Sequence, residues 1–130
     1  MMSTDLEMLA WTTGLTGLMW MPYILARIAS IGLMETLSYK SDNAPLPDWA
    51  ERARKAHGNA VENLVLFAAL VLTAHLSGAA NEATAAAALW YFWIRVAHYA
   101  VFVLGIPYLR TVTFAVGWTA LLCIFYQIVT

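Results

Sequence analysis

An all-α integral membrane four-helix bundle is the fold class this sequence predicts, and three observations predict it. Of the 130 residues, 62% are hydrophobic and only 12% are charged, against roughly 25% charged in an ordinary soluble domain. The apolar residues gather into four stretches long enough to cross a bilayer as helix, which takes ~20 residues. Short polar or Gly/Pro segments separate these stretches, and each is a stop signal for a helix. One domain over residues 1–130 is expected, because the length suits a small bundle and no linker or internal repeat interrupts it.

The first span is expected at about residues 8–37, interrupted at Pro22 and carrying Arg27 and Glu35. The N-terminal Met-Met-Ser-Thr-Asp-Leu-Glu lacks the basic start of a signal peptide, so this span is expected to be retained. A polar connection from Ser38 to Asp48 follows, in which Pro45 and Pro47 forbid a continuous helix. Asp48 suits the N-cap of the second helix, at about residues 49–76, and Gly78 suits its end. The third helix, at about residues 82–104, opens on Ala83 and Ala85 to Ala88, small enough for close helix approach. Gly105-Ile-Pro107 breaks it, and a fourth apolar helix is expected at about residues 108–129.

Lys40, Arg52, Arg54, Lys55 and Arg110 fall at one end of the spans, and Asp5, Glu7 and Glu82 at the other. The positive-inside rule therefore puts both termini on the non-cytoplasmic side and the cation-rich end in the cytoplasm. The six tryptophans fall near span ends or on outward faces, as in an aromatic belt. A net charge of −1 leaves no basic patch for nucleic-acid phosphates. The lone Cys123 forbids an intramolecular disulfide and reads as a small buried hydrophobe.

The chemistry concentrates on the second helix. A helix turns ~100° per residue, so Arg52, Lys55, Asn59 and Glu62 form one row, with the carboxylate deepest towards the apolar end. Topology explains the cations at a helix end, but neither Asn59 nor Glu62, which are costly to bury unpaired. The third helix repeats the pattern with Tyr91, Arg95, His98 and Phe102 on one face. Arg95 lies too deep to be a topology signal alone. Either Arg95 or Arg27 pairs with Glu62 or Glu35 to hold the bundle, or these groups face a ligand. His57 lies off the row and is expected against a neighbouring helix or subunit, and His75 near an interface. The three histidines do not have the spacing of a metal site. No P-loop, dinucleotide fingerprint or nucleophile elbow occurs. Donors with one carboxylate suit a zwitterionic or anionic small molecule, such as a peptide with free carboxylates and an amine.

The segment Arg52-Ala-Arg-Lys-Ala-His-Gly-Asn-Ala-Val-Glu62, with Arg95-Val-Ala-His98 and Pro107-Tyr-Leu-Arg110, resembles the MAPEG family, and its bacterial members in particular. These are membrane-associated proteins of eicosanoid and glutathione metabolism, and the likeness extends over nearly the whole chain. The resemblance implies a homotrimer in the bacterial inner membrane, with glutathione as cosubstrate bound between subunits on the cytoplasmic side and no metal. It implies that Arg52, Lys55, Asn59 and Glu62 bind glutathione, with Arg95 and His98 lining the pocket and Arg27 matching an arginine of the first helix. Arg110 is implied as the catalytic group, a cation beside the thiolate. The implied activity is glutathione transfer to, or peroxidase action on, hydrophobic electrophiles from the bilayer.

The chain departs from the family pattern at several positions. Lys55 replaces an arginine fork by a point charge, and Gly58 stands where some members carry another arginine. Phe102 and Phe114 stand where those members carry tyrosines, and Thr111 where some have serine. The alternative reading is thus a non-catalytic lipid-binding or scaffold member of the same fold. A small transporter using Glu62 and His98 as proton relays is a third.

Overall fold

The computed structural model describes residues 2–39 and 43–130; Lys40, counted above among the cations of the connection, lies outside the described residues. Among the described residues there are six α-helices: α1 (Thr4–Leu18), α2 (Trp20–Ile31), the single turn α3 (Leu33–Thr36), α4 (Asp48–Ser77), α5 (Glu82–Leu104) and α6 (Leu109–Val129). Four helical segments are long and apolar enough to cross a membrane: Thr4–Ile31, which joins α1 and α2, and then α4, α5 and α6. At ~1.5 Å per residue, each covers the ~30 Å of a hydrocarbon core.

The break in the first span follows from Pro22. Without an N–H, and with its ring against the preceding turn, Pro22 cannot continue the ladder to Leu18. The amide of Met19 donates instead to Thr16 O at 3.2 Å, and the helix restarts at Trp20. Thr12 and Thr16 are buried, but their hydroxyls donate to carbonyls one turn back, Met8 O at 2.7 Å and Thr12 O at 2.8 Å. This satisfies a polar group inside a span without a second helix.

Two expected boundaries move. The first span ends at Ile31 rather than near Leu37, because Gly32 adopts φ 88°, a turn conformation that a Cβ would resist, and its amide closes the helix on Ile28 O. Asp48 is the first helical residue rather than the N-cap. Pro47 holds that place in extended conformation, and Asp48 and Glu51 set their charge in the first turn of α4. Gly78 and Gly105, both left-handed, end α4 and α5 in the same way. In each, the next residue's amide reaches back five residues: Ala79 to Ala74 O at 2.9 Å, and Ile106 to Val101 O at 3.1 Å. Asn81 and Thr84 start α5 with a reciprocal capping box.

The main core lies towards the end that carries the termini. Phe67 and Val71 of α4 meet Ala88 and Tyr91 of α5 and Ile124 of α6 there, with Leu6 and Leu9 of α1 packed alongside. The Phe67 and Tyr91 rings stack at 4.1 Å between centroids, and the alanines of α5 allow that approach. Two polar ties close this end: Thr84 Oγ1 to Asp5 Oδ2 at 3.4 Å, and Asn81 Nδ2 to Gln127 Oε1 at 2.7 Å. Asp5 is therefore a buried tie, not a solvated outer charge. Cys123 is partly buried against this core. All six tryptophans stay outward, each more than 40% exposed in the single chain.

Candidate functional site

The opposite end of the bundle gathers Arg52, Arg54, Lys55 and Arg110. There α4 contributes its row, α5 its last two turns, and α6 its first. Lys55, Gly58, Asn59 and Glu62 form one wall of a cleft, and His98, Phe102, Arg110, Thr111 and Phe114 form the other. The cleft measures about 440 Å³, within the range of small-molecule sites. It has a cation at its mouth on each wall and a single carboxylate, Glu62. Lys55, Glu62 and Arg110 are exposed in the single chain, whereas His98 is only 2% exposed. Among the described residues, Glu62 has no hydrogen-bond or ion-pair partner.

The floor of the cleft is aromatic. His98 sets its ring edge-on to Phe102, with centroids 5.6 Å apart, and lies 6.3 Å from Phe114. The Arg110 guanidinium carbon stands 5.1 Å over the Phe102 ring, close enough for the ring quadrupole to hold the cation. Phenylalanine thus keeps the packing and the cation seat, and removes the hydroxyl.

Arg95 does not take the carboxylate partner that one of the two readings gave it. It is 5% exposed, deep in α5, and its Nη2 donates to Asn59 Oδ1 at 2.7 Å, an amide rather than a carboxylate. Its stem packs along α6 beside Gly117, where a Cβ would lie in ordinary contact, 3.7 Å from Arg95 Cδ. Arg95 therefore stands behind the cleft and fixes Asn59, which lines it. Among the described residues the ion pair is Arg54–Glu51, at 2.9 Å on the outer face of α4, and Glu35 is exposed on α3.

Two other expected site residues stand apart. Arg27 is buried at 7% exposure, and its Nη1 donates to Ala44 O at 3.0 Å, tying the connection down to α2. Arg52 donates from Nε to Val103 O at 2.9 Å and so caps the C-terminus of α5. It lies against Gly105, where a Cβ would come within 3.0 Å of Nε. Arg52 lines a neighbouring cleft that shares Phe102, Arg110 and Thr111 with the first. His57 is held off the row by Tyr23, whose hydroxyl lies 2.9 Å from Nδ1 and joins α2 to α4. His75 is exposed in the last turn of α4.

Sequence reasoning missed Gly105 as the seat of Arg52. It also missed Tyr108, which has a positive φ of 67° and is 85% exposed beside Arg110. The Gly105-Ile-Pro107 break marked the turn but not the side chains it brings together.

This geometry joins segments from α4, α5 and α6 that lie far apart in sequence, and a family-wide comparison accounts for all of them at once. The model of the MAPEG family matches residues 8–130, from α1 to the end of α6. The chain belongs to the MAPEG family. With its four spans it is an integral membrane protein, and the family includes glutathione transferases and peroxidases as well as non-catalytic members. No curated protein and no solved structure matches this chain.

Proposed function

We propose that this MAPEG member binds glutathione and acts as a glutathione transferase or peroxidase on hydrophobic electrophiles that reach it through the bilayer. The observation that carries the proposal is the shared cleft of Lys55, Asn59, Glu62, His98 and Arg110. Glutathione has two carboxylates, an amine and a thiol. The cleft opposes these with two cations, one unpaired carboxylate and an amide, at a spacing set by two helices.

In this reading Lys55 receives a carboxylate and Glu62 the amine, while Arg95 holds Asn59 in position for a further hydrogen bond. Arg110 serves the sulfur. A cation beside a thiol favours the thiolate, the nucleophilic form, and the proton passes to water. The sulfur then bonds to an electrophilic carbon, whose displaced group leaves with its electron pair. With a hydroperoxide, the thiolate sulfur bonds to the terminal oxygen as the O–O bond breaks, giving a sulfenic acid and an alkoxide that takes a proton from water and leaves as the alcohol. The thiol of a second glutathione then displaces that oxygen from the sulfur, forming the disulfide and releasing water. His98 and Phe102 back the Arg110 side of the cleft, and the Phe102 ring seats the guanidinium.

A homotrimer belongs to the same proposal. Lys55, Glu62 and Arg110 are exposed in the single chain, and a neighbouring copy covering the cleft would withdraw them from water and strengthen each contact. Positive-inside placement puts this cation-rich end on the cytoplasmic side of a bacterial inner membrane, with both termini opposite.

The test is a glutathione titration of the purified protein, following thiolate absorbance in the ultraviolet. A saturable signal is expected, and Arg110→Ala reduces the signal more than it reduces binding. Equal loss of both would make Arg110 an anchor rather than an activator. The bare rings of Phe102 and Phe114 favour the second reading, a non-catalytic lipid-binding or scaffold protein. Binding of lipid without any thiolate signal would establish it.

A further inference from the structure

Arg110 separates two clefts, and the second has chemistry of its own. It opens between the turn joining α5 to α6 and the first turns of α4, and it also measures about 440 Å³. Arg52, Phe102, Tyr108, Arg110 and Thr111 line it, with no carboxylate among its walls. Among the described residues neither arginine has an acidic partner. Arg52 cannot swing away, because its Nε is engaged with Val103 O and its stem lies on Gly105. Arg110 is held over Phe102. Two fixed, uncompensated guanidinium groups facing one space form a seat for an anion with several oxygens, which such forks meet with paired hydrogen bonds.

The position of the cleft selects the kind of anion. α5 ends at Leu104 and α6 begins at Leu109, so the cleft lies where two spans leave the hydrocarbon. Val101, Ile106 and Pro107 give its lining an apolar side, and Leu104 and Leu109, next to lining residues in the chain, are 69% and 46% exposed. An apolar rim around a cationic seat at a span end matches a lipid, whose phosphate lies at that depth with its chains beside the rim. A free anion in water gains nothing from such a rim.

Tyr108 completes the seat. Its φ of 67° and ψ of −44°, with the Leu109 amide donating across it to Pro107 O at 2.8 Å, form a γ-turn of the strained positive-φ kind. Strain of this sort is kept where the surrounding structure imposes it, and it clusters at ligand sites. Here it holds an exposed phenol at the lip of the cleft, where aromatic rings meet head groups.

We propose that this second cleft binds the phosphate group of a net-anionic lipid, with Arg52 on the oxygens, Tyr108 over them, and Arg110 adding its charge from the wall shared with the first cleft. A zwitterionic lipid fits worse, since the lining offers no carboxylate to its ammonium group. The proposal does not depend on glutathione binding, and its test is run without thiol.

The full-length protein is reconstituted in bilayers of phosphatidylcholine with phosphatidylglycerol, and the lipids it retains are counted by native mass spectrometry. The expected result is saturable retention of one phosphatidylglycerol per chain in preference to phosphatidylcholine, not displaced by millimolar inorganic phosphate. Ile106→Glu sets a carboxylate in this cleft alone, on an exposed turn whose fold circular dichroism verifies. It should lower retention about tenfold, the equivalent of one charge-assisted contact. Arg52→Gln should do the same, and if it fails to fold, Ile106→Glu decides. Equal retention of both lipids, or retention indifferent to Ile106→Glu, overturns the proposal. Displacement by inorganic phosphate also overturns it, by making the cleft a small-anion site.

Discussion

Asn59 and Glu62 lie one turn apart on the same wall of the same cleft, yet they do different work. Asn59 is committed to Arg95 at 2.7 Å, so Asn59→Ala strands a guanidinium that is 5% exposed. The expected cost is about 1–3 kcal/mol of stability, the penalty for leaving a buried polar group unmet. A lowered unfolding midpoint in denaturing detergent measures it, and an unchanged midpoint would mean that Arg95 finds another acceptor. Glu62 is exposed, without a partner among the described residues, so Glu62→Gln should leave that midpoint alone. It should weaken glutathione binding by about 1–3 kcal/mol, read by calorimetry, and unchanged affinity would remove Glu62 from the site. The row on α4 was legible in the sequence because helical spacing alone sets Lys55, Asn59 and Glu62 on one face. The partner of Arg95 was not, because helical spacing does not say which face of α4 meets α5. Arg52 shares the row, but its guanidinium is drawn away by a carbonyl 51 residues on.

The connections between elements were read best where glycine ends a helix. Gly78 and Gly105 stand where the left-handed closure demands them, so the ends of α4 and α5 followed from sequence. Gly32 was passed over, because apolar residues continue beyond it to Leu37 and composition alone does not register a change of backbone direction. Asp48 looked like a cap, but Pro47, fixed near the φ that an N-cap needs, holds the place instead. Gly105 has a double role, ending α5 and receiving Arg52. Gly105→Ala therefore meets both a positive φ, worth about 1–2 kcal/mol for any residue with a Cβ, and a 3.0 Å approach to Arg52 Nε. The expected outcome is a loss of thermal stability at least that large. Stability equal to the parent protein would show that the turn repacks around the methyl group.

At the scale of the whole molecule, the bundle has a closed end and an open one. Asp5, Thr84, Asn81 and Gln127 tie the end that carries the termini and the main core, and the clefts lie at the other. The four-span fold was legible from composition and stop signals, since apolar length decides what can cross a bilayer. Assembly is a different matter, because a surface that meets lipid and one that meets another copy are both apolar. Trp11, Trp90, Trp93 and Trp118 are all at least half exposed in the single chain, which is consistent with either. The proposed trimer predicts a detergent-corrected mass of three times 14.4 kDa by light scattering. A clean monomer would remove any part for a second copy in completing the proposed glutathione cleft.

Gly58 gives the proposed glutathione cleft an experimental handle. A Cβ built there meets nothing within 4 Å, yet the position lies on the cleft wall between Lys55 and Glu62. A side chain can therefore be introduced without moving the wall. Gly58→Cys, with Cys123→Ala to remove the native thiol, makes the wall a covalent trap. Thiol–disulfide exchange with glutathione disulfide there leaves one glutathione on the new cysteine and releases the other, turning a reversible occupancy into a mass shift that survives purification.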